Sequence, residues 1–309
     1  MIKVNTERIS FIIPAYNCST TVEEAVNSII EGNFEDGDEI VIVNDGSTDD
    51  THIVLRDLAS KFPAIRIVSH KFNKGGGAAR NTAVENTTHD LIFCLDSDNI
   101  LVPGSIGQLK SFLAAGQLDA VAFQEIRFFK KNVNEITHHW VFKESAITFA
   151  NYLSIHRGPG DSGNYMYTRS SWLRAKGYPV GVFLDTWGFG LRQVATGSRI
   201  AVLPDSYYFH RHGHKSYWVR EHERGKTSLV ALQILIPFFP WIEEEDIEYM
   251  MSKRGRYTWF ENKAWRPIRV LGRPSIHPFR DRVRFDLFSR LTRLFAILRR
   301  LRGSASLKK

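Results

Sequence analysis

Apolar residues recur along this 309-residue chain in two alternating patterns. Short, largely apolar runs at Ile9–Ile13, Glu39–Val43, Ile65–Val68 and Leu91–Leu95 read as strands. The unbroken run Leu91–Leu95 suits a strand covered on both faces, as in a parallel sheet. Between them the pattern changes to helical. Val22, Ala25, Val26, Ile29 and Ile30 share one helical face, and Gly32 ends it. Thr20 and Thr21, each three residues ahead of a Glu, predict a capping box at its start. A polar turn over Asn44–Asp50 leads into a second helix through about Phe62, and Ala78 to Val84 reads as a third. Strand and helix therefore alternate four times, which predicts right-handed crossovers.

The second half is less regular. Ser105 to Ala115 predicts a helix with Pro103 near its start. Ala120 to Phe129 predicts a strand, turning through Lys130–Asn134 into a hairpin. A helix is expected over Glu144 to Leu153, a loop over the glycine-rich His156 to Asn164, a strand at Tyr165–Tyr167 and a helix over Ser170 to Lys176. Further helices are expected over Glu223–Ile236 and Ile242–Ser252, with Trp241, Trp259, Phe260 and Trp265 packing them on the core. The longest apolar stretch, Leu229 to Ile242, is shorter than a membrane span and contains Pro237 and Pro240. The run Phe11–Ala15 is too short for a signal peptide. Cys18 and Cys94 are the only cysteines, which argues against a disulfide framework or a cysteine zinc site and for a reducing cytosol.

Polar clusters follow the strands, and open α/β sheets bind ligands just outside the carboxyl ends of their strands. The fourth run stops in Asp96-Ser97-Asp98. Two hard anions one residue apart favour a cation between them, and Mg2+ or Mn2+ bridged to substrate phosphates would satisfy both. The plain alternative is a solvated Asp-Ser-Asp turn. Asp45 is placed to accept from a ligand N–H such as that of a pyrimidine base. Gly75–Gly77 let backbone approach a ligand, and Arg80 can approach phosphate oxygens. A dinucleotide-binding fingerprint is disfavoured, because Pro14-Ala15-Tyr16-Asn17 follows the first strand.

Phe11-Ile12-Ile13-Pro14-Ala15-Tyr16-Asn17, Val43-Asn44-Asp45-Gly46-Ser47-Thr48-Asp49, Gly77-Ala78-Ala79-Arg80-Asn81 and Asp96-Ser97-Asp98 stand in the order and spacing of family 2 inverting glycosyltransferases. The first 215 residues resemble that family. The resemblance implies an α/β GT-A fold, a Rossmann-like, mostly parallel sheet flanked by helices. It also implies a nucleotide-sugar donor, with UDP the expected nucleotide. Pro14, Ala15 and Tyr16 would line the nucleoside pocket and Asp45 would hold the base. Asp96 and Ser97 would lie near the ribose, and Asp98, with Asp96, would bind Mn2+ or Mg2+.

Phe183 to Arg192 resembles the family segment in which an acidic pair precedes a helix carrying an arginine. Asp185 falls on the first member of that pair and Thr186 where the usual base stands. Asp185 is the first candidate for the catalytic base, with a helix N-cap as its plain alternative. Asp161 is the reserve. In His210-Arg211-His212-Gly213-His214 the resemblance points to His212 for the diphosphate or metal. A nucleotidyltransferase is the enzymatic alternative, although its basic glycine loop after the first strand is missing. A non-catalytic nucleotide-sugar or membrane-binding protein is the other, kept open by Thr186.

The formal charge of +8 sits in the tail. Residues 266–309 hold 13 Lys/Arg and 2 Asp/Glu, leaving a net −3 for residues 1–265. That distribution points away from nucleic acid. Three regions are expected: a catalytic domain over 1–215, a helical subdomain over 216–283 and a basic amphipathic tail over 284–309. Leu287, Phe288, Leu291, Leu294, Phe295, Leu298 and Leu301 share one face of the helix expected over Arg284–Arg302. Such a helix fits the anionic inner face of the cytoplasmic membrane, where a lipid-linked glycan acceptor would be found. A chain ending at residue 283 is expected to stay in solution when anionic liposomes are sedimented, whereas the full chain pellets with them. Equal pelleting of the two would rule the tail out.

Overall fold

The computed structural model describes residues 7–142, 146–154, 162–213, 219, 223–224 and 227–251. The tail helix expected over 284–302, the reserve base Asp161 and the aromatic residues 259–265 lie outside them.

One sheet carries the chain from Ile9 to Arg211. Its first four strands, β1 (Ile9–Ala15), β2 (Glu39–Asn44), β3 (Ile65–Ser69) and β4 (Leu91–Cys94), lie parallel in the order β3-β2-β1-β4. All four residues of β4 are buried, which is why its pattern is a solid apolar run and not an alternation. Helices α1 (Val22–Ile30), α2 (Thr51–Lys61) and α3 (Gly76–Glu85) make the crossovers. With β1 between β2 and β4, their carboxyl ends lie side by side. Backbone bonds lock that edge: Asp45 N–H donates to Ala15 O, His70 N–H to Asn44 O, and Leu95 N–H to Ile12 O.

Beyond β4 the sheet turns mixed. After α4 (Ser105–Ala115), β5 (Ala120–Phe129) pairs with β6 (Ile136–Val141) as a hairpin, as the polar turn predicts. Short β7 (Ala146–Ile147) and α5 (Phe149–Ser154) follow. Strand β8 (Tyr165–Thr168) runs antiparallel between β4 and β5. An antiparallel strand begins where its neighbour ends, so the residue just before β8, Asn164, is delivered to the end of β4. After α6 (Arg169–Ala175) and α7 (Asp185–Ala195), β9 (Ile200–Arg211) runs parallel to β5. Helices α8 (Thr227–Leu235) and α9 (Glu244–Met251) flank a 3-10 segment, Ile236–Trp241.

Packed aromatic rings cross the core from Phe11 to Phe93 (6.2 Å), Phe123 (6.1 Å) and Tyr208 (5.5 Å). They join the parallel half to the mixed half, so the two share one core. The site therefore sits on a rigid floor.

Three local expectations differ from the structure. The capping box at Thr21 is not made: the Thr21 side chain makes no cap bond and its hydroxyl donates back to Cys18 O. The helix expected from Glu144 starts at Phe149, because Ala146 and Ile147 pair with β9 instead. The helix expected through Ile236 ends at Leu235, where Pro237 and Pro240 draw the chain into 3-10 turns.

Candidate active site

The site is built on the locked edge, and much of the polar sequence there serves to hold it. Asn17 takes a positive φ of 50° directly after β1. Its N–H donates to Ser47 Oγ (3.0 Å), and its side-chain oxygen accepts from Thr48 N–H (2.8 Å). Asp49 accepts from Thr51 Oγ1 (2.6 Å) and Ser19 N–H (3.2 Å). Burial works against its charge, yet the hydrogen bonds from Thr51 and Ser19 keep its carboxyl below the ordinary range. Asn17, Ser47, Thr48 and Asp49 are thus clamps between strand ends. Ala15 is buried, Pro14 half-buried, and Tyr16 is the exposed ring of the trio.

Asp45 sits at the end of β2 and is 2 % exposed. Its Oδ1 accepts from Lys74 N–H (2.9 Å) and lies 2.6 Å from His70 Nδ1, while its Oδ2 accepts from Gly75 N–H (2.8 Å). The carboxylate expected at the nucleotide base therefore also holds the glycine loop.

The end of β4 presents Asp96 and Asp98. Asp96 N–H donates to Asn164 Oδ1 (2.7 Å), and Asn164 Nδ2 returns a bond to the Asp96 carboxylate (3.1 Å). Asn99 is fully buried and braces the turn, its Oδ1 accepting from Arg211 N–H (3.0 Å). Arg211 Nε reaches Asp98 O (3.2 Å), and its side chain pairs with Glu24 and lies over Phe129. Ser97 is half-buried in the same turn.

Arg80 is the centre of the arrangement. It is 8 % exposed on α3 and donates to Asp96 (2.5 Å) and to Asp185 (2.7 Å). Its third nitrogen, Nε, is buried with no hydrogen-bond partner among the described residues. The phosphate contact expected of Arg80 is thus replaced, in this structure, by two carboxylates. Asp185 is the first residue of α7, and its side chain does not cap the helix; Leu184 is the N-cap residue. Burial raises the Asp185 carboxyl, and nearby Asp96 adds to that; together they outweigh the pull of Arg80. One cation cannot neutralise two carboxylates in a dry site. The approach of α7 to α3 depends on Gly77: a Cβ there would meet Pro179 O at 2.1 Å and Asp185 Cβ at 3.1 Å. Thr186, at the usual position of the base, lies against Gly163.

Asp96, Arg80, Asp185 and Asn164 are therefore brought together, with Asp98 two residues from Asp96. His212 Nε2 lies 2.7 Å from Thr137 Oγ1, and its ring packs on His138. Among the described residues no three His, Cys, Asp or Glu side chains gather as a metal cage. The chemistry of the donor set still suits a divalent cation, because Asp98 and Asp96 offer hard oxygens where a diphosphate would complete the shell. Cys94 is no alternative ligand or nucleophile, since burial pushes its thiol up to about 12. Asn99, Asn164, Arg211 and His70 were not singled out from the sequence. Asn164, Arg211 and His70 are remote in the chain from the groups they support, whereas Asn99 closes the Asp96–Asp98 turn from the next position.

A mostly parallel sheet with helices on its faces and paired carboxylates at the end of its fourth strand defines a glycosyltransferase of the GT-A fold. The Glycosyl transferase family 2 model matches residues 10–174, more than half of the chain, and the chain belongs to that family. Among similar proteins, Escherichia coli chondroitin synthase is 42% identical over 98 residues, 32% of this chain and only 14% of that protein. An uncharacterized Haemophilus influenzae glycosyltransferase is 25% identical over 267 residues, covering 81% of this chain and 76% of that protein. Similar solved structures share the fold at low identity. Staphylococcus aureus TarS 1-349 in complex with UDP-GlcNAc superposes with a TM-score of 0.59 at 21% identity, covering 83% of this chain and 74% of that one. The mannosyltransferase PcManGT of Pyrobaculum calidifontis, in complex with GDP-Man and Mn2+, gives 0.58 at 18% identity over 97% and 80%. The family assignment removes the nucleotidyltransferase alternative. No helix among the described residues is long and apolar enough to cross a membrane.

Removing the Arg80 guanidinium would leave two carboxylates without their shared cation. Arg80→Met is expected to destabilise the fold at neutral pH by about 3–5 kcal/mol, measured by urea unfolding. The sign with pH follows from Asp185. Its raised carboxyl costs stability while ionised, so the loss in Arg80→Met should shrink as the pH falls and Asp185 takes a proton. A loss that is constant with pH would mean the ion pairs are not the cause.

Proposed function

We propose that the chain transfers one sugar from a nucleotide-sugar, UDP-linked, to a hydroxyl group of a glycan or lipid-linked glycan, with inversion at the anomeric carbon. The observation that carries this reading is the pairing of Asp185 and Asp96 with the same guanidinium, that of Arg80. One carboxylate lies toward the donor end of β4 and the other at the start of α7, so base and donor site share a single anchor. Asp185 accepts the proton of the acceptor hydroxyl, the freed oxygen attacks the anomeric carbon, and the nucleoside diphosphate departs from the opposite face. A single displacement needs one base, so the missing second acid at Thr186 does not stop it.

Asp98, with Asp96, would hold Mn2+ or Mg2+, which would stabilise charge building on the leaving diphosphate. Tyr16 offers an exposed ring to the nucleoside beside Pro14 and Ala15, and Asp45 lies at the base. The UDP-GlcNAc in the TarS complex supports a UDP donor, and the GDP-Man in PcManGT makes GDP the competing choice. A polysaccharide acceptor is supported by the chondroitin synthase match, although the chain spans only a small part of that protein. The basic tail supports a lipid-linked acceptor at the inner membrane face.

Thermal unfolding with UDP, GDP and dTDP, each with and without Mn2+, tests the donor. UDP at about 100 times its dissociation constant should add roughly 2.7 kcal/mol in the presence of metal. Asp98→Asn should abolish that gain. Stabilisation by GDP and not by UDP would overturn the UDP assignment. The base is tested by pH. A base works deprotonated, so the rate should fall as the pH drops through the Asp185 carboxyl. Because burial raises that carboxyl, the fall should start at a higher pH than for an exposed aspartate. Asp185→Asn should remove turnover while keeping UDP binding; turnover at the wild-type rate would show that another group is the base.

A further inference from the structure

His70 is a buried histidine with no role so far. It stands at the end of β3, and its side chain is 5% exposed. Its Nδ1 lies 2.6 Å from Asp45 Oδ1, and its Nε2 lies 3.0 Å from Thr82 Oγ1 on α3. The ring therefore joins three elements: the ends of β2 and β3 and the second turn of α3. The same Asp45 carboxylate accepts from the N–H groups of Lys74 and Gly75. Lys71 to Lys74 are exposed, and Phe72 is 63 % exposed, so the loop has little packing of its own. Its backbone passes directly over Gly46, where a Cβ would meet the Phe72 carbonyl carbon at 2.5 Å. What holds this exposed loop over the edge of the sheet is a carboxylate, and what orients the carboxylate is the histidine.

We infer that His70 is a positioning residue of the donor site. It fixes the Asp45 carboxylate, which in turn holds the Phe72–Gly75 loop and the start of α3 in their binding geometry. The purpose assigned to the loop rests on the donor reading above; the latch itself does not. The two N–H bonds, one to each oxygen, set the plane of the Asp45 carboxylate, and the imidazole adds a third bond, on Oδ1, that resists its rotation. The ring cannot itself turn without losing Thr82. The interaction is worth more here than at the surface, because both partners are shielded from water. A disordered loop would have to be ordered at the moment of binding, and that cost would appear as weaker donor affinity.

The full-length protein is tested as wild type, His70→Ala, His70→Asn and Asp98→Asn. UDP binding is measured by calorimetry with MnCl2, and loop order by limited trypsin cleavage after Lys71 and Lys74. Cooperative unfolding of each variant is checked first. His70→Ala should bind UDP at least ten-fold more weakly and be cut faster in the loop. In His70→Asn the side-chain amide can donate to Asp45 in place of Nδ1, so this variant should recover most of both properties. Asp98→Asn should lose UDP affinity with the loop still protected. If folded His70→Ala binds UDP within two-fold of wild type, the inference is wrong. It is equally wrong if His70→Asn fails as badly as His70→Ala, since bulk packing and not the hydrogen bond would then matter. If the wild type binds neither UDP nor GDP in the presence of MnCl2, the donor reading fails. In that case the trypsin comparison judges the latch alone, and equal cleavage of all four proteins overturns it.

Discussion

A guanidinium buried between two carboxylates is the interaction on which the site depends. Arg80 is close to fully buried, and a charge in such a place is tolerated only when it is paired and hydrogen-bonded. Its partners come from different parts of the chain, Asp96 after β4 and Asp185 at the start of α7. The pairing draws α7 onto α3 through the narrow contact at Gly77. It also leaves one negative charge in excess, which joins burial in raising the Asp185 carboxyl despite its arginine. The group that assembles the site thus also leaves it short of positive charge.

The edge of the sheet explains why this balance can be held. Strands β1, β2 and β4 are adjacent and parallel, so their polar ends converge without any long-range search by the loops. Three backbone bonds lock the ends, and the Asn17, Ser47, Thr48 and Asp49 side chains clamp the turns beyond them. The strands beneath are buried and joined by one aromatic core. A site mounted on such a floor loses little geometry to motion. The exposed Lys71–Lys74 loop has less packing, and the Asp45 carboxylate ties it down through the N–H groups of Lys74 and Gly75.

The departure at Thr186 reads differently once the site is assembled. From the sequence it removes the acid where the family keeps its base. In the structure Thr186 lies against Gly163, and the carboxylate one residue earlier reaches Arg80. The first turn of a helix can direct either of two successive residues toward its start. Which one faces the donor edge is decided by how α7 packs on α3, a property of the pair of helices.

Much of the architecture was legible in the chain. Short apolar runs marked β1 to β4, unbroken at β4 because both of its faces are covered, and helical periodicity marked α1 because one of its faces is buried. The carboxylates at strand ends marked the site, since chain order alone puts them on one edge of a parallel sheet. The capping box at Thr21 and the start of α5 were misplaced, because a back-bond to Cys18 and pairing with β9 competed with local preference. Only the tertiary structure could decide what Arg80 does. A cation near a phosphate site and a cation between two carboxylates look the same in sequence. The two are separated by burial and by Asp185, 105 residues away, and neither is a local property. The same holds for Asn164, His70 and Arg211, whose partners are set by the antiparallel entry of β8, the neighbouring end of β3 and the far end of β9. Local sequence determined which segments fold and where their polar ends fall. Packing decided which of those ends touch, because long-range pairs are fixed by the order of strands in the sheet.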